Sequence, residues 1–125
     1  MSDSHHSSAI VNIPNGLNRL MGDSVLYRQM LELFAGDLHH SIQKIRDAYS
    51  AGDATLLRYE AHSLKGAAAN LSVEQLSEIA YDLEQHGKNR TLDMVGPGMD
   101  SLQAAAAELT NYIKTVDWPA ITREP

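Results

Sequence analysis

Cysteine is absent from this 125-residue chain, which excludes disulfides and thiolate metal sites and agrees with a cytoplasmic setting. No apolar run approaches the roughly 18 residues of a membrane-spanning helix, and the N-terminus lacks the apolar core of a signal peptide. Basic residues are few: 10 Lys and Arg against 16 Asp and Glu give a formal charge of −6, so no positive stripe exists to neutralise nucleic-acid phosphates. There is no Gly-rich phosphate loop of the Walker type, no nucleotide-binding pattern and no acidic cluster built for Mg²⁺. The chain therefore cannot take phosphate from ATP unaided. No stretch alternates with period two, so strands are not expected. What the chain does have is 43% hydrophobic residues, enough in one domain of this length to bury a real core.

Those apolar residues recur at helical spacing. Residues 1–13, Ser- and His-rich before the patch Ile10-Val11-Asn12-Ile13, read as a flexible tail, with the adjacent His5 and His6 idle rather than a metal clip. Asn15 to Met21 predicts a short helix, capped by Asn15 and ended by Gly22. Asp23 or Ser24 then caps a long helix to about Ser50, with Leu26, Met30, Leu33, Phe34, Leu38, Ile42, Ile45 and Tyr49 on its inner face. It would be roughly 40 Å long, with Gly36 as a weak point. His39 and His40 diverge by about 100° and cannot share a metal with each other.

Ala51-Gly52-Asp53 makes the turn into the next helix, which ends near Asn70. Ser72-Val73-Glu74-Gln75 reads as a capping box opening a further helix, with Val73, Leu76, Ile79, Ala80 and Leu83 inward and His86-Gly87 at its end. Lys88 to Gly98, containing Gly96-Pro97-Gly98, reads as a connection. Met99 to Val116 is the last helix, packing Leu102, Ala105, Ala106, Leu109, Tyr112, Ile113 and Val116, and Asp117-Trp118-Pro119 stops it. The expected fold is all-α, an antiparallel up-and-down four-helix bundle with a short extra N-terminal helix. It comprises a tail over 1–13, the bundle over 14–116 and a C-terminal tail over 117–125. Four self-sufficient apolar stripes favour a monomer.

The most informative stretch is Ala61-His62-Ser63-Leu64-Lys65-Gly66-Ala67-Ala68-Ala69-Asn70. Ala54, Leu57, Ala61, Leu64, Ala68 and Leu71 form its core stripe. His62 falls just outside that stripe, with Arg58, Tyr59, Lys65, Gly66 and Ala69 as its neighbours on the helix surface. Glycine within a helix costs about 0.8–1 kcal/mol relative to alanine. The bare patch at Gly66 therefore either admits another helix of the same bundle or leaves room for a visitor to approach the ring.

The run Ala61-His62-Ser63-Leu64-Lys65-Gly66, followed by Asn70-Leu71 and Leu76 through Glu84, resembles the histidine-containing phosphotransfer (HPt) domain of bacterial phosphorelays. Leu17-Asn18-Arg19-Leu20-Met21-Gly22-Asp23 and Leu31-Glu32-Leu33-Phe34 are similar to that family as well, so the likeness spans roughly residues 15 to 116. It implies that His62 accepts a phosphoryl group from a receiver-domain aspartate and passes it reversibly to another receiver. Chemically, a neutral imidazole is a good nucleophile near neutral pH, because the free ring titrates near about 6.5. Lys65 would meet the incoming phosphoryl oxygens as a point charge. Glu84, where related domains carry Glu or Gln, would accept from Nδ1–H and leave Nε2 to be phosphorylated.

The chain would thus be a phosphoryl carrier rather than an enzyme, with no cofactor of its own. Mg²⁺ would reside in the partner receiver. Response-regulator receivers and a hybrid sensor histidine kinase are the implied partners, docking on Arg58, Tyr59, Gly66, Ala69 and Asn70. Three other readings stand beside it: a catalytically inert bundle that only docks a signalling partner, the substrate domain of a chemotaxis-type kinase, and a metal or acid–base enzyme built on His62 and Glu84. At the turn after the His62 helix the family usually has glycine, whereas this chain has Ser72. A small change in turn geometry is expected there.

Overall fold

Asp23 and Asp53 each close a helix N-terminus by accepting the backbone N–H three residues on, from Leu26 and Leu56, both at 3.0 Å. Their capping relieves donors that helix formation would otherwise orphan. The computed structural model describes residues 9–122. It holds α1 (Ile13–Arg19), α2 (Ser24–Ser50), α3 (Ala54–Asn70), α4 (Glu74–Asn89), a 3-10 turn (Leu92–Met94), α5 (Val95–Thr115) and α6 (Trp118–Ile121), and no strand among the described residues. His5 and His6 lie outside them. So do the ends of both expected tails.

α2 packs on α3, α3 on α4, α4 on α5, and α5 returns to α2. Short links make successive helices antiparallel, so the four long helices form the expected up-and-down bundle, with short helices added at the chain's two ends. The stripe of α3 is buried as its spacing predicts, from Ala54 through Leu71. No helix among the described residues is long and apolar enough to cross a membrane.

Several boundaries differ from the sequence reading, each for a local reason. Residues 9–13 are not a loose tail. Val11 and Ile13 are buried, Asn12 N–H donates to the Ser72 carbonyl at 2.8 Å, and Gln75 N–H donates to the Ala9 carbonyl at 3.0 Å. Asn12, not Asn15, caps α1, and Pro14 sits in the first turn where its missing N–H costs nothing. On α2 the inward residues of the first half are Tyr27 and Leu31, while Leu33 is 70% exposed and Leu26 42%. Both faces are apolar there, and a tertiary contact chooses between them. The Tyr27 hydroxyl donates to the Leu71 carbonyl at 2.7 Å, and its ring lies where a Cβ on Gly16 would be.

Ser72 does not cap α4. It adopts the left-handed conformation at φ 58, buried, with Oγ 2.6 Å from Asn15 Nδ2. The turn keeps the geometry glycine would supply, and the serine's hydrogen bond offsets part of the strain. Val73 is the cap residue, without a side-chain bond. α4 runs through Gly87 to Asn89 and closes on a left-handed Arg90. α5 begins at Val95, four residues before Met99, because Pro97 falls in a first turn whose N–H groups need no partner. The expected C-terminal tail contains α6, whose Trp118 is buried and donates Nε1–H to the Ile113 carbonyl at 3.0 Å.

Candidate functional site

Small side chains bring α3 and α4 close together. Ala61, Ala68 and Ala80 are fully buried, and Gly87 lies directly against the α3 backbone. A Cβ on Gly87 would stand 2.8 Å from Arg58 N and 2.9 Å from the Ala54 carbonyl. One turn from this contact, along both helices, His62 faces Glu84. The approach is close enough for a direct bond: His62 Nδ1 and Glu84 Oε2 are 2.7 Å apart.

Glu84 is buried, with 8% of its surface exposed, and both its oxygens are engaged. Oε1 lies 2.7 Å from Lys65 Nζ, on the α3 residue three positions past His62. Burial pushes the Glu84 carboxyl upward, but hydrogen bonds and charge from Lys65 and His62 outweigh it and hold the group below its ordinary 4.5. At neutral pH this carboxylate is ionised and can only accept. Nδ1 must then carry the ring hydrogen, which leaves the Nε2 lone pair free. The imidazole side chain is 64% exposed, so a ring tied at Nδ1 stands out into solvent.

The residues around it sort clearly. Arg58, Tyr59, Gly66 and Asn70 are exposed and Ala69 is half-buried. Thr55, Arg58, Tyr59, His62 and Glu84 line one open groove. Apart from its own helix backbone and chain neighbours, nothing lies within 4 Å of a Cβ built on Gly66, so that glycine is not a contact between helices. Gly87 is the one that admits the neighbouring helix. Lys65 is not extended toward solvent but folded onto Glu84. Among the described residues no group of three or more His, Asp or Glu side chains is placed to hold a metal ion.

Sequence reasoning missed the parts played by four residues. Tyr81, one turn before Glu84, puts its ring beneath the Lys65 ammonium. Its spacing from Glu84 was the available signal. Gly87 was read as a helix end. Leu33 and Leu26 were assigned to the core, but α2 turns Val25, Arg28 and Glu32 toward α6 and Ala35 and His39 toward α5. At about 100° per residue, Leu26 and Leu33 therefore look outward, away from α5 and α6.

Comparison with known proteins gives a consistent picture. The family model described as "Hpt domain" matches residues 29–117. No curated protein matches the chain. Among solved structures, the HPT domain from the Hpt sensor hybrid histidine kinase from Shewanella superposes with a TM-score of 0.69 at 20% sequence identity, covering 92% of this chain and 99% of that one. A likeness at that identity speaks for the fold.

Proposed function

We propose, from the premise that this chain belongs to the Hpt domain family, that His62 is the residue that carries its phosphoryl group. Hpt domains are phosphotransfer modules of phosphorelays, carriers rather than classical enzymes, and their partners are two-component receivers or kinases. The finer reading assigns the donor as a receiver aspartyl phosphate and the acceptor as another receiver.

In the forward step the Nε2 lone pair attacks phosphorus. The N–P bond forms as the aspartyl O–P bond breaks, and the carboxylate leaves with the electron pair. Because Nδ1 keeps its hydrogen, the phosphorylated ring becomes cationic. The Glu84 carboxylate, already 2.7 Å from Nδ1, offsets that charge without moving, which is how preorganised groups lower such barriers. Lys65 keeps one N–H on Glu84 and turns another toward a phosphoryl oxygen as charge gathers there. Mg²⁺ and the remaining catalytic groups belong to the receiver. The visitor lands on Tyr59, Gly66, Ala69 and Asn70 of α3, with Arg58 at one margin.

The observation that carries this reading is the His62–Glu84 bond, which fixes the tautomer of an exposed ring. Incubation with a phosphorylated receiver should place an acid-labile, alkali-stable phosphate on the wild type and none on His62→Gln. A label that persists in His62→Gln overturns the assignment.

A further inference from the structure

The Lys65 ammonium has two ties, and both come from α4. One is Glu84 Oε1 at 2.7 Å. The other is the Tyr81 ring, whose centroid lies 5.6 Å from Nζ, within the ~6 Å reach of a cation–π contact. Tyr81 and Glu84 stand three residues apart on one helix face, so a cation held by one is delivered to the other. The Tyr81 residue is 49% exposed while the Lys65 side chain is only 29% exposed. The ring thus acts as an outer wall that keeps a flexible side chain folded inward.

We infer that Tyr81 is a positioning residue for phosphotransfer: its ring holds Lys65 on Glu84 Oε1, which keeps Glu84 Oε2 on His62 Nδ1 and Nε2 free. The inference rests on the reading of His62 as phosphoryl acceptor. Its physical basis is that a carboxylate pinned at one oxygen cannot rotate freely about its terminal bond. Lys65 on its four-carbon stem has many competing solvated rotamers. Without the aromatic wall the ammonium spends more time in water, the carboxylate gains freedom, and the Nδ1 bond is occupied less. Imidazole in water leans toward the tautomer with hydrogen on Nε2, so any loss of that bond lowers the fraction of ring able to attack.

Nitrogen NMR shifts of the His62 ring in the unphosphorylated protein test this, alongside single-turnover labelling by a phosphorylated receiver. Wild type and Tyr81→Phe should show the same tautomer ratio and the same rate, since both keep the ring. Tyr81→Leu should move the ratio two- to fivefold (about the strength of an exposed cation–π contact) toward Nε2–H. Its rate at saturating receiver should fall in step with the fraction of ring that still carries hydrogen on Nδ1, with the half-saturating concentration unchanged. In a Lys65→Ala background Tyr81→Leu should add nothing. An unmoved ratio in Tyr81→Leu overturns the inference, and so does an equal effect in the Lys65→Ala background. A change confined to half-saturation would make Tyr81 a docking residue and overturn it as well. If the wild type takes no label on His62, the acceptor reading fails, while the tautomer comparison can still be read on its own.

Discussion

At the scale of single residues, Gly66 is a glycine that the fold itself does not require. Beyond its own helix backbone and chain neighbours, nothing lies within 4 Å of the place its Cβ would occupy, and an α-helix interior is a costly position for glycine. Gly66→Ala should therefore raise stability by about 0.5–1 kcal/mol, seen as a higher denaturation midpoint. Gly66→Glu should leave the midpoint near wild type yet cut loading from a phosphorylated receiver by about tenfold or more, equivalent to ~1.4 kcal/mol of docking free energy. Normal loading of Gly66→Glu would return that glycine to a role within the fold. His62, Lys65 and Gly66 stood out in the sequence because an imidazole, a cation and a gap share one helix surface. Glu84 came only through the family likeness, since no pattern in one chain says which residue of a second helix will face a given histidine. Tyr81 escaped notice for the same reason.

Gly87 belongs to the scale of elements. A methyl group there would press on Arg58 N and the Ala54 carbonyl, backbone atoms that move only if α3 and α4 separate. Gly87→Ala should cost about 1–3 kcal/mol despite alanine's better helix propensity, read from denaturant unfolding. The same separation would lengthen the His62–Glu84 bond one turn away, so labelling should slow as well. The helices themselves were legible because four apolar stripes keep a 3.6-residue period over many turns. Their ends were less so. Pro97 and Gly98 look like breakers yet fit inside the first turn of α5. Ser72 looks like a cap yet fills a left-handed turn, held by Asn15 from a helix distant in sequence. Leu26 and Leu33 completed a plausible stripe, and only the docking of Tyr27 against Gly16 and Leu71 shows which side of α2 turns inward. Such choices are made by contacts between elements, which local spacing does not encode.

For the whole molecule, the carboxylate at the site links function to acid stability. Glu84 is held below its ordinary 4.5, so the folded state binds its proton more weakly than the unfolded chain does. The stability it contributes is fully present above 4.5 and drains away as the pH falls through that value toward the folded-state pKa. Glu84→Gln should be less stable than wild type near neutral pH, and the gap should narrow below 4.5, measured as denaturant midpoints across the acid range. A gap that stays constant with pH would mean that packing, not charge, makes Glu84 matter. The ring that this carboxylate orients stands out from the flank of the bundle, with most of its side chain in solvent. It is a single post on an open bank, not a channel with an inlet and an outlet. With His62 as the proposed phosphoryl carrier, whatever loads it and whatever unloads it would moor at the same spot, so the two could not be alongside together. Traffic through the module is then sequential, and an empty vessel that lingers at the post delays the next delivery.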